Sequence, residues 1–346
     1  TFMGGLAGFQ VTTGNDNTFM GVGAGDAINT GSSNVALGRS ALTSDTKGSR
    51  STALGHGTLV IQNLTTATDA YNVAVGMNAG TNITTGVQNT LLGSLTGDAL
   101  TDADNNVAVG YNALSADTLG SRSVAVGRGA LATQNFTTAT NNYNVAVGYD
   151  SAAYVTTGKY NTVVGSLAGD AMTTGEANTF IGYNAAGAGT TTGSNNVGIG
   201  NTTLEDVTSG ANNTAVGTIA GQNVTSGANN LFLGRDAGIT GSPGGNVTTA
   251  SNTICIGDEN IANAHIQVAL TVASDERDKT DFEALSFGLD FVKALEPVTY
   301  YWDKRSKYGD KADENYNLND QTPDGTHKED WMDVGFKAQS VIALEE

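Results

Sequence analysis

The sequence predicts an all-β fold: a rod of stacked repeats of the parallel β-solenoid type, followed by a small α+β domain. Three observations predict it. A five-residue phrase that ends in glycine recurs at a nearly constant step, glycine is abundant (46 residues) while proline is scarce (3 residues), and the composition changes abruptly near residue 273. Asn, Thr, Ala and Val fill the repeats, so we expect strands there and no helices.

The closing glycine of the phrase sets the period. It occurs fifteen times, and ten of the fourteen steps between copies have the same length of seventeen positions, as from Gly4 to Gly21. Repetition at a fixed step is typical of solenoids, whose turns stack on one another. At about 4.8 Å per strand layer, fifteen turns predict a rod of roughly 70 Å. Residues 1–257 are therefore assigned to a repeat shaft, with closing glycines at 4, 21, 38, 55, 76, 93, 110, 127, 148, 165, 182, 200, 217, 234 and 257.

A longer period lies over the short one, since the interval from Gly4 to Gly76 is the same as that from Gly76 to Gly148. Whole modules are thus duplicated. Two of the longer steps arise from matching inserts, residues 63–68 and 135–140. We expect these inserts to protrude as loops on one edge of the shaft. They are candidates for binding a partner, with plain solvated turns as the alternative.

Both faces of the repeated strands are apolar. The residue before each closing glycine is never polar, and the residue before that is apolar and usually alanine, as in Ala36, Ala74 and Ala108. Neighbouring strand residues point to opposite faces. One coil buries one face in itself, so the second face needs another surface. Because a row of alanines permits close approach around a shared axis, we predict a homotrimer.

The net charge excludes one class of partner. The chain carries a formal charge of -18 with only 16 Lys and Arg, and a nucleic-acid binder needs basic stripes on its surface. No run of about 18 apolar residues is present, so membrane insertion is not expected. The chain begins within a repeat and stops inside an element, so we expect further residues at both ends.

The residues that most often bind metals give no metal-site pattern. Cys255 is the only cysteine and occupies an apolar repeat position, which predicts a buried, inert thiol. His56, His265 and His327 are far apart in sequence and lack metal-ligand spacing. No metal and no cofactor is predicted.

A second domain begins after a connector at residues 258–273. Residues 274–346 hold 9 Lys/Arg and 18 Asp/Glu, against 7 and 16 over positions 1–273. Both tryptophans also lie beyond the boundary. The pattern predicts a helix over 286–295, ended by Pro297, then strands at 298–302 and 334–336, and a last helix from residue 339.

Three blocks of this domain resemble the C-terminal intramolecular chaperone of phage tail spikes and fibres, of the peptidase S74 type. They read Ser-Asp-Glu-Arg-Asp-Lys at 274–279, Leu-Asp-Phe-Val-Lys-Ala-Leu-Glu-Pro-Val-Thr-Tyr at 289–300, and Asp-Val-Gly-Phe-Lys-Ala-Gln at 333–339. The resemblance covers the chain from residue 274 to its end. It implies a domain that assembles three chains and, in many members, then cuts itself from them.

The resemblance also implies the residues of that cleavage. Ser274 stands at the position of the nucleophile and Lys279 at that of the base, so the bond between Ala273 and Ser274 would break once. A serine hydroxyl needs a base, and a lysine serves as one only when its pKa is lowered. Asp278 beside Lys279 favours the charged lysine instead. A solvated linker is the alternative for both residues.

The resulting hypothesis is a trimeric tail fibre that attaches a virion to a host cell. Its partners would be other tail proteins and a surface receptor, either a glycan or an outer-surface protein, and it would be made in the host cytoplasm. The repeats, such as 144–148, are also similar to the head repeats of trimeric autotransporter adhesins, so a bacterial surface adhesin is one alternative. The other is a tail spike that depolymerises polysaccharide with a close pair of carboxylates. Candidate acids are Asp26, Asp98, Asp170 and Asp236.

Overall fold

The computed structural model describes residues 1–264, 294–303, 308, 322–335 and 337. The chain divides into two compact units, Thr1–Glu259 and Asn260–Glu346. No helix among the described residues is long and apolar enough to span a bilayer.

The first unit is a parallel β-solenoid, as the sequence predicts. Fifteen short strands form one parallel sheet in chain order, and each strand pairs with the strand of the next turn. The register is strict: Ala36 lies beside Ala53, and Ala108 beside Ala125. The strands are Phe2–Met3, Thr18–Met20, Val35–Leu37, Thr52–Leu54, Val73–Val75, Thr90–Leu92, Val107–Val109, Val124–Val126, Val145–Val147, Thr162–Val164, Thr179–Ile181, Val197–Ile199, Thr214–Val216, Leu231–Leu233 and Ile254–Ile256.

The closing glycines allow successive turns to approach closely. Gly21 has φ of +133°, and a Cβ atom built there would lie 2.5 Å from the carbonyl oxygen of Gly38. The same geometry repeats along the ladder, with Gly110 at φ +130° and 2.5 Å from the oxygen of Gly127. A side chain at these positions would collide with the backbone of the next turn. The glycine period is therefore a steric requirement of the stacking.

The asparagines that begin the repeated phrase are buried and form a ladder. They connect successive turns by hydrogen bonds. The Oδ1 atom of Asn17 accepts the backbone N–H of Asn34 at 2.9 Å, and its Nδ2 atom donates to the carbonyl of Gly31 at 2.8 Å. Asn34 repeats both bonds one turn on, to Ser51 N–H and the carbonyl of Gly48. Each asparagine thus satisfies backbone groups that the short strands leave unpaired.

The expected role of the alanine row is wrong. Ala36, Ala74 and Ala108 are fully buried inside their own coil and face no shared axis. The position is small because the interior of one turn is narrow and is filled by residues after the corner, such as Leu42 and Leu114. Alternation along the strand then places the residue before each glycine on the outside of the coil.

The second unit contains a short antiparallel pair among its described residues. Val298–Tyr300 pairs with Asp333–Gly335, and these strands overlap the predicted strands at 298–302 and 334–336. The indole N–H of Trp302 donates to Asp333 Oδ2 at 2.8 Å. The predicted helix over 286–295 lies mostly outside the described residues, and the predicted helix from residue 339 lies wholly outside them.

Candidate functional site

The two inserts only partly protrude. Thr65, Thr66 and Ala67 are exposed in the first insert, as are the matching residues of the second. However, Leu64 and Phe136 turn inward and are 6 % exposed. Each insert also adds a parallel two-stranded ladder, Thr68–Asp69 against Gly48–Ser49 and Thr140–Asn141 against Gly120–Ser121. The inserts are therefore anchored loops with a small exposed tip.

A fully buried aspartate anchors each insert from inside the coil. Asp117 Oδ1 accepts the N–H groups of Gly120 and Phe136, both at 3.0 Å, and Oδ2 accepts the side-chain N–H of Gln134 at 2.5 Å. Gln134 also donates to Ser123 Oγ at 2.9 Å and accepts from Asn144 Nδ2 at 2.8 Å. These residues are called the Asp117 cluster. Burial raises the pKa of the Asp117 carboxyl, against the opposing effect of its hydrogen bonds.

The first insert has the same arrangement one module earlier. Asp45 accepts from Gly48 N–H at 3.0 Å, Leu64 N–H at 3.1 Å and Gln62 Nε2 at 2.6 Å. In both clusters a serine replaces the asparagine of the ladder, at Ser51 and Ser123. The shorter side chain leaves room for the interior glutamine, which takes over contacts to the next asparagine. The clusters are structural, because all of their carboxylate and glutamine side chains are enclosed.

Arginine and tyrosine pairs line one edge of the sheet, immediately before the buried asparagine ladder. Arg50 donates to the hydroxyl of Tyr71 at 2.5 Å and its guanidinium lies 5.4 Å from the ring centre. Arg122 and Tyr143 repeat this pair at 2.5 Å and 5.5 Å, and Tyr143 stacks on Tyr160. Both Tyr71 and Tyr143 are 45 % exposed. These pairs form a polar and aromatic rim that the composition of the chain did not reveal.

The outer sheet face carries one apolar row along the whole shaft, beside a second row in which threonines are mixed with aliphatic residues. We define it as the residues before the closing glycines together with the first residues of the three-residue strands. Leu37 is 45 % exposed, Ile199 38 % and Ile256 62 %. Only aliphatic residues, methionines and threonines occupy the two rows. Monomeric proteins rarely leave a continuous apolar patch larger than a few hundred Å² uncovered.

The four candidate acids cannot form the close pair that polysaccharide cleavage needs. Asp26, Asp98, Asp170 and Asp236 follow the second, sixth, tenth and fourteenth strands, so neighbours are four layers apart. Four layers correspond to about 19 Å, whereas glycosidase carboxylates lie about 5–10 Å apart. Each of the four nevertheless has a buried oxygen without a hydrogen-bond partner. Asp150, which the sequence analysis did not select, lies one strand before Asp170.

The remaining candidate ligands are dispersed. Cys255 is 1 % exposed, as predicted, and burial raises the pKa of its thiol. His56 lies 3.4 Å from Arg39, and His327 packs edge-on against Tyr308. His265 lies outside the described residues. Within the described part of the chain, no group of three or more His, Cys, Asp or Glu side chains has a metal-binding arrangement.

The predicted cleavage residues Ala273, Ser274 and Lys279 lie outside the described residues, so their geometry stays a prediction. Residues 274–345 match the family model described as the chaperone of endosialidase, Peptidase_S74. The C-terminal segment is thus similar to an intramolecular chaperone. No curated protein and no solved structure matches the chain.

Proposed function

We propose that this chain is a trimeric tail-fibre or tail-spike protein that attaches a virion to a host cell. The observation that carries the proposal is the match of residues 274–345 to the chaperone of endosialidase, which follows the β-solenoid shaft in the sequence. A rod holds binding surfaces away from the particle, and three copies act together, so weak contacts add into firm attachment. The partners in this proposal are a cell-surface receptor and other tail proteins, and the location is the virion.

The outer sheet face supports a homotrimer. The row before the closing glycines is apolar along the whole shaft, the neighbouring row mixes aliphatic residues with threonines, and their partial exposure in a single chain leaves apolar surface to be buried. Burial is worth about 25 cal/mol for each Å² of apolar surface removed from water. We assign this face to the contact between copies. The buried alanines take no part in it.

The trimer is tested by placing a charge in the centre of that face. Val109→Lys puts three ammonium groups into the proposed contact, whereas Asn82→Lys adds the same charge at an exposed turn. We expect the wild-type chain and Asn82→Lys to sediment with three times the monomer mass, and Val109→Lys with the monomer mass or as aggregate. A wild-type monomer at micromolar concentration contradicts the trimer.

Attachment itself is tested with labelled full-length protein on a panel of bacterial strains. We expect saturable binding to a subset of strains, with unlabelled protein as competitor.

The chaperone role is tested by intact mass under denaturing conditions, with Ser274→Ala as the matched variant. In our proposal the wild-type chain splits before Ser274 while the variant stays whole. If both stay whole, the segment is a trimerisation cap without the Ser274/Lys279 chemistry.

A further inference from the structure

A surface depression lies over the turns that follow the strands Val107–Val109 to Thr162–Val164. Its volume is about 360 Å³, at the lower end of the range for small-molecule sites. We call it the Arg128 depression. The residues that matter for its chemistry are Arg128, Gly129, Ala132, Asp150, Tyr154 and Asp170.

Small side chains open this depression. Ala132 and Ala153 line it, whereas the equivalent positions of the preceding module carry the larger Val60 and Thr81. Gly129 is also required, because a Cβ atom there would lie 2.0 Å from Asp150 Oδ1. Gly129 has its counterpart in Gly57, so Ala132 and Ala153 are the residues that open the space in the second module.

The polar groups of the depression are held in place. Arg128 Nη1 lies 3.1 Å from Asp150 Oδ2 and donates to the hydroxyl of Tyr149 at 2.9 Å, and its guanidinium lies 5.1 Å from the centre of that ring. Three contacts fix a side chain that otherwise has many rotamers. The guanidinium keeps further N–H donors beyond those bonds.

Two further groups line the depression. Asp170 supplies a second carboxylate, whose Oδ1 atom is enclosed and without a hydrogen-bond partner, as in the equivalent residues Asp26, Asp98 and Asp236. Tyr154, also at the depression, is 60 % exposed, and so offers an uncovered aromatic ring. The groups that a ligand can reach are therefore the guanidinium of Arg128, the carboxylate of Asp150 and the ring of Tyr154.

We propose that the Arg128 depression binds a neutral saccharide of one or two rings. Sugar hydroxyls donate to carboxylates and accept from guanidinium groups, and the apolar face of a sugar ring packs on an aromatic ring. The site holds two carboxylates and one guanidinium, so an acidic sugar would be repelled. This inference rests on the proposed attachment function and names the receptor chemistry and the site.

The variant Ala132→Val with Ala153→Thr tests the site by giving it the residues of the first module. The same residue pair already exists in that module at positions 60 and 81, so the shaft should fold unchanged. The matched control is Val60→Ala with Thr81→Ala. Asp170→Asn is the second variant, because it removes one carboxylate charge and keeps the size of the side chain.

Binding is measured on the full chain by saturation-transfer NMR and calorimetry with maltotriose, chitotriose and lactose, and with sialyllactose as the acidic comparator. We expect at least one neutral sugar to bind, and both site variants to weaken it by about tenfold or more, equivalent to about 1.4 kcal/mol. The control variant should bind like the wild type. Absence of binding by all three neutral sugars, tighter binding of sialyllactose, or unchanged affinity in both site variants overturns the inference.

Cell binding separates this inference from the proposed function. If the wild-type chain binds bacterial strains and the Ala132→Val/Ala153→Thr variant binds them equally well, the site is wrong while attachment stands. If no strain is bound but a neutral sugar is, and the variants weaken it, the site stands while attachment fails. Shortening of maltotriose or chitotriose that Asp170→Asn abolishes would show hydrolysis, and would overturn a site that only binds.

Discussion

Replacing Asp117 with asparagine should destabilise the second insert and the turns beside it by about 2 kcal/mol. The carboxylate accepts three hydrogen bonds, from Gly120 N–H, Phe136 N–H and Gln134 Nε2. An asparagine oxygen is able to keep both backbone bonds. Its NH₂ group then faces the NH₂ group of Gln134 in an enclosed interior, where one hydrogen bond is lost and a buried donor is left unsatisfied.

The magnitude follows from opposing effects. A bond to a charged group contributes about 1.5–3 kcal/mol, and an unsatisfied buried donor costs about 1–3 kcal/mol. The substitution also removes a buried charge, which offsets part of this loss of stability. Burial already disfavours the ionised form of the Asp117 carboxyl. Adding Gln134→Glu should recover at least half of the loss, since a carboxylate at 134 accepts both from the new amide at position 117 and from Asn144. The exposed change Asp102→Asn serves as control, at less than about 0.5 kcal/mol.

Hydrogen exchange followed by mass spectrometry is the suitable assay, because stacked repeats open locally and a single unfolding free energy is poorly defined for them. We expect the amides of Gly120 and Phe136 to exchange faster in Asp117→Asn than in the wild type. In the double variant with Gln134→Glu, their exchange should be slower than in Asp117→Asn. The first insert, around Asp45, should be unaffected and provides an internal reference. Equal exchange in the wild type and Asp117→Asn, or no recovery in the double variant, would refute the proposed network.

Three further predictions concern the shaft. Gly110→Ala should lower the local stability of the turns beside it by about 2 kcal/mol or more, measured by hydrogen exchange, because it combines a φ of +130° with a backbone collision, whereas Gly5→Ala meets no atom within 4 Å and should change little. Asn106→Ala removes bonds to Ser123 N–H and the carbonyl of Gly120, and should lower the local stability of these turns by about 2 kcal/mol, measured by hydrogen exchange, with the exposed Asn82→Ala as control. Because burial raises the folded-state pKa of Asp117 above its ordinary value, the folded chain binds that proton more tightly than the unfolded chain. The stability contributed by Asp117 is therefore greatest below its unfolded pKa and falls as the pH rises through the folded pKa, a component that Asp117→Asn should remove from the pH profile of unfolding.

The repeat phrase predicted the shaft because its physical cause is local. A positive φ at each closing glycine, and contact with the next turn at all but the last of them, require glycine at one position in every turn. The fifteen glycines consequently correspond to the fifteen strands of the sheet. The sequence did not predict that Leu64 and Phe136 face the interior, since a single apolar residue in a polar insert does not indicate which way its side chain points.

The sequence also left undecided which face of each strand is enclosed by the coil. Alternation predicted that Ala108 and Val109 lie on opposite faces, but it does not decide which face is enclosed by the coil. That depends on the direction in which the chain turns after Gly110, and the structure places Ala108 inside. The expectation of alanines at a shared axis failed for this reason.

The sequence by itself determined the period of the shaft, the position of its closing glycines and the resemblance of its last residues to an intramolecular chaperone, because each depends on residues close together in the chain. Only the tertiary structure decided that Asp117 meets Gln134, and that Arg128 meets Asp150 beside a depression. Those partners are 17 and 22 residues apart. The stacking of one turn on the next brings them into contact, and the side-chain sizes of neighbouring turns decide whether the space between them is filled or open.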